Sequence, residues 1–110
     1  MADGPLLFVS GQSPEAPDGG VAGDAGGQTR QIFRNMEAIL ARHGADLSHV
    51  VKLTYYLRHI ADLDEFRAAL LDSLPGDHRP AASLVEVSGL VNPRFLVEID
   101  AIACLPRENA

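Results

Sequence analysis

The sequence predicts one α+β domain, with elements in the order β-α-β-α-β-β and a mixed sheet carrying both helices on one face. Three observations predict it. Apolar residues recur at a helical period in two segments and at strand period in the others. Each helical segment lies between strand-like ones, as crossover connections require. The chain has 110 residues, enough for a single core and too few for two, so residues 1–110 form one domain. Hydrophobic residues make up 46% and charged residues 22%, a balance that excludes a disordered chain.

The first strand is "PLLFVS", Pro5 to Ser10, a short apolar run that reads as buried. Gly11 to Gly27 is rich in Gly, Pro, Asp and Ser and reads as loop. From about Gln28 to His43 the period becomes helical, with Thr29, Ile32, Phe33, Met36, Ile39 and Leu40 on one face. Gly26 and Gly27 blur the start of that helix, and Gly44 is placed to end it. Arg42 and His43 fall in its last turn, where cations complement the helix dipole.

"HVVKLTYYLR", His49 to Arg58, alternates Val51, Leu53, Tyr55 and Leu57 against Val50, Lys52, Thr54 and Tyr56. Asp62 with Glu65 resembles a capping box that opens a second helix, running to about Ser73. Leu63, Phe66, Leu70 and Leu74 supply its apolar stripe, and "LPGDHRP" breaks it. Two strands follow, about Ala82–Val87 and Phe95–Cys104, joined by a loop containing "GLVNP". With the helices on one face, Thr54, Tyr56, Leu96 and Ile102 line the other. That surface is too apolar to stay wet and points to a homo-oligomer.

Nine basic against fifteen acidic side chains give a net charge of −6, which repels polyphosphates, so no nucleic acid is expected as a partner. Cys104 is the sole cysteine, which rules out an intramolecular disulfide and suits a reducing, cytoplasmic compartment. "MADGPLLFVSG" has no basic segment before a short apolar run, unlike a secretory signal. No apolar stretch approaches the roughly 20 residues that span a bilayer, so no membrane association is expected.

Glu98 and Asp100 are the residues that ask for an explanation. They share a strand face with Leu96 and Ile102, while Phe95, Val97, Ile99 and Ala101 take the other. Carboxylates among aliphatic neighbours are costly to bury. They sit at a solvated or arginine-paired rim, or they face an interface pocket. Ser10-Gly11-Gln12, just past the first strand, is a second candidate, since strand ends present backbone groups to ligands. It is equally the composition of a common turn. His43, His49, His59 and His78 lack metal-ligand spacing, so no metal is expected. Cys104, between Ala and Leu, reads as a small packed residue. There is no phosphate loop, nucleophile elbow or dinucleotide fingerprint, and nothing calls for a cofactor.

Four stretches in order add more: "VSGQSP" at 9–14, "QTRQIFRNMEAILARHGADLSHVVKLTYYL" at 28–57, "RPAASLVEV" at 79–87 and "VEIDAIA" at 97–103. Together they resemble the Rid, or reactive-intermediate deaminase, family, also called YjgF-like and, by an older name, L-PSP endoribonuclease. The resemblance implies a chorismate-mutase-like fold and a homotrimer whose sheets face inward, with a small-molecule ligand in each inter-subunit cleft. It also implies hydrolysis of 2-imino or enamine acids to 2-keto acids and ammonia. Carried over by position, Glu98 handles the water, Ser10 hydrogen-bonds the substrate, and the backbone at Gly11 and Leu84 helps to hold it.

The chain departs from the family pattern twice. Where deaminating members carry an arginine that grips the substrate carboxylate, this chain has Ala82. A charged hydrogen bond contributes about 1.5–3 kcal/mol, so its loss weakens carboxylate binding roughly ten- to more than a hundredfold. Arg79 lies an odd number of positions away and faces the opposite side of a continuous strand. Arg94 reaches the cleft only if its loop folds inward. In addition, members usually carry a strand before "VSGQ" with a tyrosine that reaches the site, and "MADG" offers no counterpart.

Three functions therefore compete. The first is an imine or enamine hydrolase of altered substrate range. The second is a non-catalytic trimer that binds a metabolite or partner in the same clefts. The third is an endoribonuclease, which lacks support from a basic stripe, a histidine pair or an aromatic platform.

Overall fold

A computed structural model describes residues 4–107. Most of the "MADG" stretch thus lies outside the described residues. The element order is β1 (Leu6–Gln12), α1 (Ala25–Ala41), β2 (Val50–Leu57), α2 (Leu63–Ser73), β3 (Ala81–Glu86) and β4 (Val97–Cys104). This is the expected β-α-β-α-β-β. Single 3₁₀ turns at Leu47–His49 and Ile60–Asp62, not foreseen from sequence, lead into β2 and α2.

The strands form one sheet in the order β1-β4-β2-β3. β4 runs antiparallel to both β1 and β2, while β2 and β3 are parallel across the α2 crossover. The sheet is therefore mixed, and its last strand in sequence is central. Along β4, Val97, Ile99, Ala101 and Ala103 are buried, and Glu98, Asp100 and Ile102 between them are only partly so. The buried set packs with Leu53 and Leu57 of β2 against Ile32, Phe33, Met36 and Leu40 of α1 and Phe66 of α2. Tyr55 meets Phe66 edge-on, ring centroids 4.9 Å apart, in the favoured aromatic geometry.

Helix α1 starts three residues before the apolar periodicity does. Asp24 caps it, its side chain accepting the Gly27 N–H at 3.0 Å. At the other end α1 stops at Ala41, leaving Arg42 and His43 beyond it, and left-handed Gly44 (φ 69°) lets the Ala45 N–H return to the Leu40 carbonyl. The capping box expected at α2 does not form: Asp62 makes no side-chain cap. Glu65 instead accepts the Gly26 N–H of α1 at 2.8 Å, so one helix caps the other.

Three strand assignments need correction. β1 is an edge strand buried on one side only, with Leu6 57% and Phe8 68% exposed. In β2 a register shift between Val50 and Lys52 puts Val50 in the core and Val51 outside, the reverse of simple alternation. β4 begins at Val97, because the Phe95 N–H closes a turn onto Asn92. Cys104 is buried as expected.

Gln28 is buried and ties the loops to the core. Its Nε2 donates to the Ala22 carbonyl at 2.8 Å and the Arg94 carbonyl at 2.9 Å, and its Oε1 accepts the Leu96 N–H at 2.7 Å. Gln28→Leu keeps the volume and strands these backbone groups. We expect a loss of roughly 2–4 kcal/mol, read as a lower urea midpoint at unchanged slope. A loss below about 0.5 kcal/mol, the scale of a surface substitution, would contradict this account.

Candidate functional site

The sheet face away from the helices carries the candidate site. β1 passes Ala101 in register at Val9 and regains register only at Gln12, opposite Ile99. Ser10 and Gly11 form the bulge between, so they lie within the strand rather than past its end. The bulge needs a left-handed residue, and Gly11 (φ 51°) supplies it without strain.

Asp100 holds that bulge in place. Its Oδ1 accepts the Gly11 N–H at 2.5 Å, and its Oδ2 accepts the Tyr56 hydroxyl at 2.8 Å. Asp100 is not paired with an arginine: its partners are an amide and a phenol. Glu98 lies beside this bracket, opposite Tyr56 in the ladder. Its Oε2 is 3.9 Å from where a Gly11 Cβ would stand. Burial first, and the Asp100 carboxylate second, hold the Glu98 carboxyl above the usual glutamate range. The bond to Asp100 raises the Tyr56 phenol, with burial and the charges of Asp100 and Glu98 adding to it.

A shallow depression of about 200 Å³ adjoins the bracket, lined by Ser10, Phe8, Thr54, Lys52, Asp100 and Ile102 among others. Lys52 is the cation in this lining, and its Nζ already donates to Ser83 Oγ at 2.9 Å and the Leu53 carbonyl at 3.2 Å. Polar and apolar side chains thus share a surface that the sequence presented as mainly apolar.

Three of the sequence-derived candidates meet at the bulge: Ser10, which lines the depression, and Gly11 and Glu98 beside it. The other two do not. Leu84 belongs to β3, at the opposite edge of the sheet from β1, and packs partly buried against the core. At a strand spacing of about 4.8 Å, roughly 14 Å separates the two edges. Ala82 lies on the same far edge, paired with Leu53. Arg94 is exposed; its carbonyl is held by Gln28 and its N–H by Asn92 Oδ1 at 2.9 Å. It does not line the depression, and its guanidinium has no hydrogen-bond or ion-pair partner among the described residues. Arg79 closes its own turn, donating to the Gly76 and His78 carbonyls at 3.1 and 2.7 Å.

Sequence reasoning missed Tyr56 as a site residue and raised Asp100 without giving it a role. The signal was present, because Thr54, Tyr56, Glu98 and Asp100 occupy one face of neighbouring strands at strand period. What the sequence withheld was the register that sets them side by side. Among the described residues no group of three or more His, Cys, Asp or Glu side chains is arranged to hold a metal ion. No helix among them is long and apolar enough to cross a membrane.

Residues 1–105 match the family described as endoribonuclease L-PSP. The RutC family protein PH0854 of Pyrococcus horikoshii is 40% identical over 102 residues, which is 91% of this chain and 79% of that one. The solved structure of NMB1025 from Neisseria meningitidis, a member of the YjgF protein family, superposes with a TM-score of 0.82 at 30% identity, covering 96% of this chain and 82% of that one. YyfA of Yersinia pestis, of the conserved Rid protein family, gives a TM-score of 0.85 at 36% identity, covering 91% and 80%.

A carboxyl whose pKa rises on folding holds more protons in the folded than in the unfolded chain between the two values. Stability therefore falls as pH climbs through that window, and the effect is absent below the unfolded value. Glu98→Gln removes the ionised form. In melts from roughly pH 3 to pH 7, spanning the ordinary glutamate range, the variant should gain on the wild type as pH rises through and above that range. Carbon-13 titration of the Glu98 carboxyl should give a midpoint above the usual value, lowered but not fully restored in Asp100→Asn. A midpoint at or below the usual value would refute the assignment.

Proposed function

From the premise that the chain belongs to the endoribonuclease L-PSP family, which includes the YjgF, RutC and Rid proteins, we propose that it hydrolyses small reactive imines or enamines to carbonyl compounds and ammonia. The observation that carries this reading is Glu98: a carboxyl held above its usual pKa beside the bulged Ser10-Gly11 segment.

Imine hydrolysis needs proton transfers in both directions. With the substrate protonated as an iminium, Glu98 in its ionised form takes a proton from water as the oxygen bonds to the C=N carbon and the π pair moves to nitrogen, giving a neutral carbinolamine. The same carboxyl, now protonated, delivers its proton to the amino group, then takes the hydroxyl proton as the C–N bond breaks and the C=O bond forms, and passes it to the departing ammonia. A carboxyl with a pKa nearer neutrality serves both directions better than an ordinary glutamate. Ser10 supplies a hydroxyl to the bound substrate, and the bulge keeps it next to Glu98.

The proposal includes a homotrimer with ligand clefts between subunits. Supporting it, Leu84 and Ala82 lie at the far edge of the sheet from Ser10, so one copy alone cannot bring them to one ligand. The exposed Leu6 and Phe8 call for cover. A cytoplasmic location is part of the same proposal, in keeping with the single reduced Cys104. Ala82 narrows the substrate range away from carboxylates, and Arg94 does not line the depression of its own subunit. The same missing arginine favours the second reading, a trimer that binds a metabolite without turning it over. The −6 charge counts against RNA as substrate.

Imines generated in situ by an amino-acid oxidase, with ammonia release followed, test the reaction. Glu98→Gln should lower the rate by roughly 10²-fold or more, the scale of general acid–base catalysis. An unchanged rate would rule the mechanism out, and binding without turnover across a broad imine panel would select the second reading. Ala82→Arg should raise kcat/KM for carboxylate-bearing imines about ten- to a hundredfold and leave neutral imines unaffected. Equilibrium sedimentation should return a species of three 11.7 kDa chains, and a monomer would remove the inter-subunit cleft.

A further inference from the structure

Tyr56 offers one proton and Asp100 takes it. The Asp100 carboxylate can only accept hydrogen bonds, and its Oδ2 is 2.8 Å from the Tyr56 hydroxyl oxygen. Its Oδ1 is committed to the Gly11 N–H, a group that can only donate. The amide therefore fixes which oxygen faces Tyr56, and the phenol has no proton left for a ligand. Its lone pairs remain, on the partly buried face beside Glu98, its ladder partner. Among the described residues the Tyr56 hydroxyl has no other partner.

We propose that Asp100 sets the hydrogen-bonding sense of the cleft: by holding the Tyr56 proton it leaves that hydroxyl an acceptor, so the ligand group seated against Tyr56 is an N–H rather than a carbonyl. Asp100 is thus a positioning residue and Tyr56 a specificity residue. This rests on the Ser10–Gly11–Glu98 cleft being a ligand site, and it adds a direction to it. The nitrogen end of an imine or amine lies toward Tyr56, and a carbonyl product, which cannot donate there, is held less well. The arrangement favours the nitrogenous reactant over the carbonyl that hydrolysis leaves behind.

Two neutral rings of equal shape separate hydrogen-bonding sense from charge. Pyrrole carries an N–H donor, and furan has an oxygen in its place. Protein-observed NMR on the full chain gives both dissociation constants, with shifts expected at Gly11 and Glu98. The wild type should bind pyrrole about two- to tenfold more tightly, the range of one neutral hydrogen bond. Tyr56→Phe should make the two rings equal. Asp100→Asn should reverse the preference: Oδ1 still accepts the Gly11 N–H, the side-chain amide now donates to Tyr56, and the phenol proton turns to the ligand.

A preference unchanged in Tyr56→Phe overturns the proposal, as does one unchanged in a folded Asp100→Asn. If thermal melting shows Asp100→Asn to be unfolded, Tyr56→Phe decides alone. Equal binding of both rings by the wild type, weakened by Glu98→Gln, overturns the proposal and leaves the cleft standing. Binding of neither ring, or shifts confined to other parts of the surface, overturns both.

Discussion

The alternation of β4 is the constraint on which the molecule depends. A strand bonded on both sides can place its side chains only above or below the sheet. In β4 one set, Val97, Ile99, Ala101 and Ala103, fills the floor of the core, and the other set carries Glu98 and Asp100. A one-residue slip would bury both carboxylates under the helices and expose four apolar side chains, so register and site are fixed together. The cost of misplacing two charges in a dry core exceeds anything local propensity can offer in return. Core and candidate site are two readings of one eight-residue strand.

Long-range polar contacts then lock the surroundings. Glu65 caps the start of α1 from α2, and Gln28 ties residues on both sides of it in sequence to the same point. Asp100 does the same on the open face, joining the edge strand to the centre of the sheet through Gly11 and to β2 through Tyr56. Each uses one side chain to satisfy backbone or hydroxyl groups from separate elements. Such groups are costly when left unmet, which is why the arrangement resists rearrangement.

Element order, the central apolar faces and the family were legible in the sequence, because each rests on periodicity or on motifs in fixed order. What was not legible follows from tertiary contacts. The start of α1 was obscured by Gly26 and Gly27, and the cap that fixes it is Asp24, outside the apolar pattern. Asp62 and Glu65 have the spacing of a local capping box, yet Glu65 has a better use across the helix pair. Val50 and Val51 exchange roles because a register shift adds a residue that alternation cannot foresee. At the site, Glu98, Ser10 and Gly11 stood out by their strand positions, and the resemblance supplied their roles. The Asp100–Tyr56 contact joins residues 44 apart and depends on the pairing of β2 with β4, which the pattern of a single strand does not reveal.

The strand order has a consequence for synthesis on the ribosome. β4 is the last strand to be made, yet it sits between β1 and β2. Until residues 97–104 emerge, the first strand has no neighbour to bond and the floor of the core is missing. Helices and the β2–β3 pair can form earlier, but with apolar surface open on the side that β4 will close. The sheet therefore stays incomplete until β4 is made, a period in which chaperones shield such surfaces, and a truncation that removes β4 leaves the core without its floor.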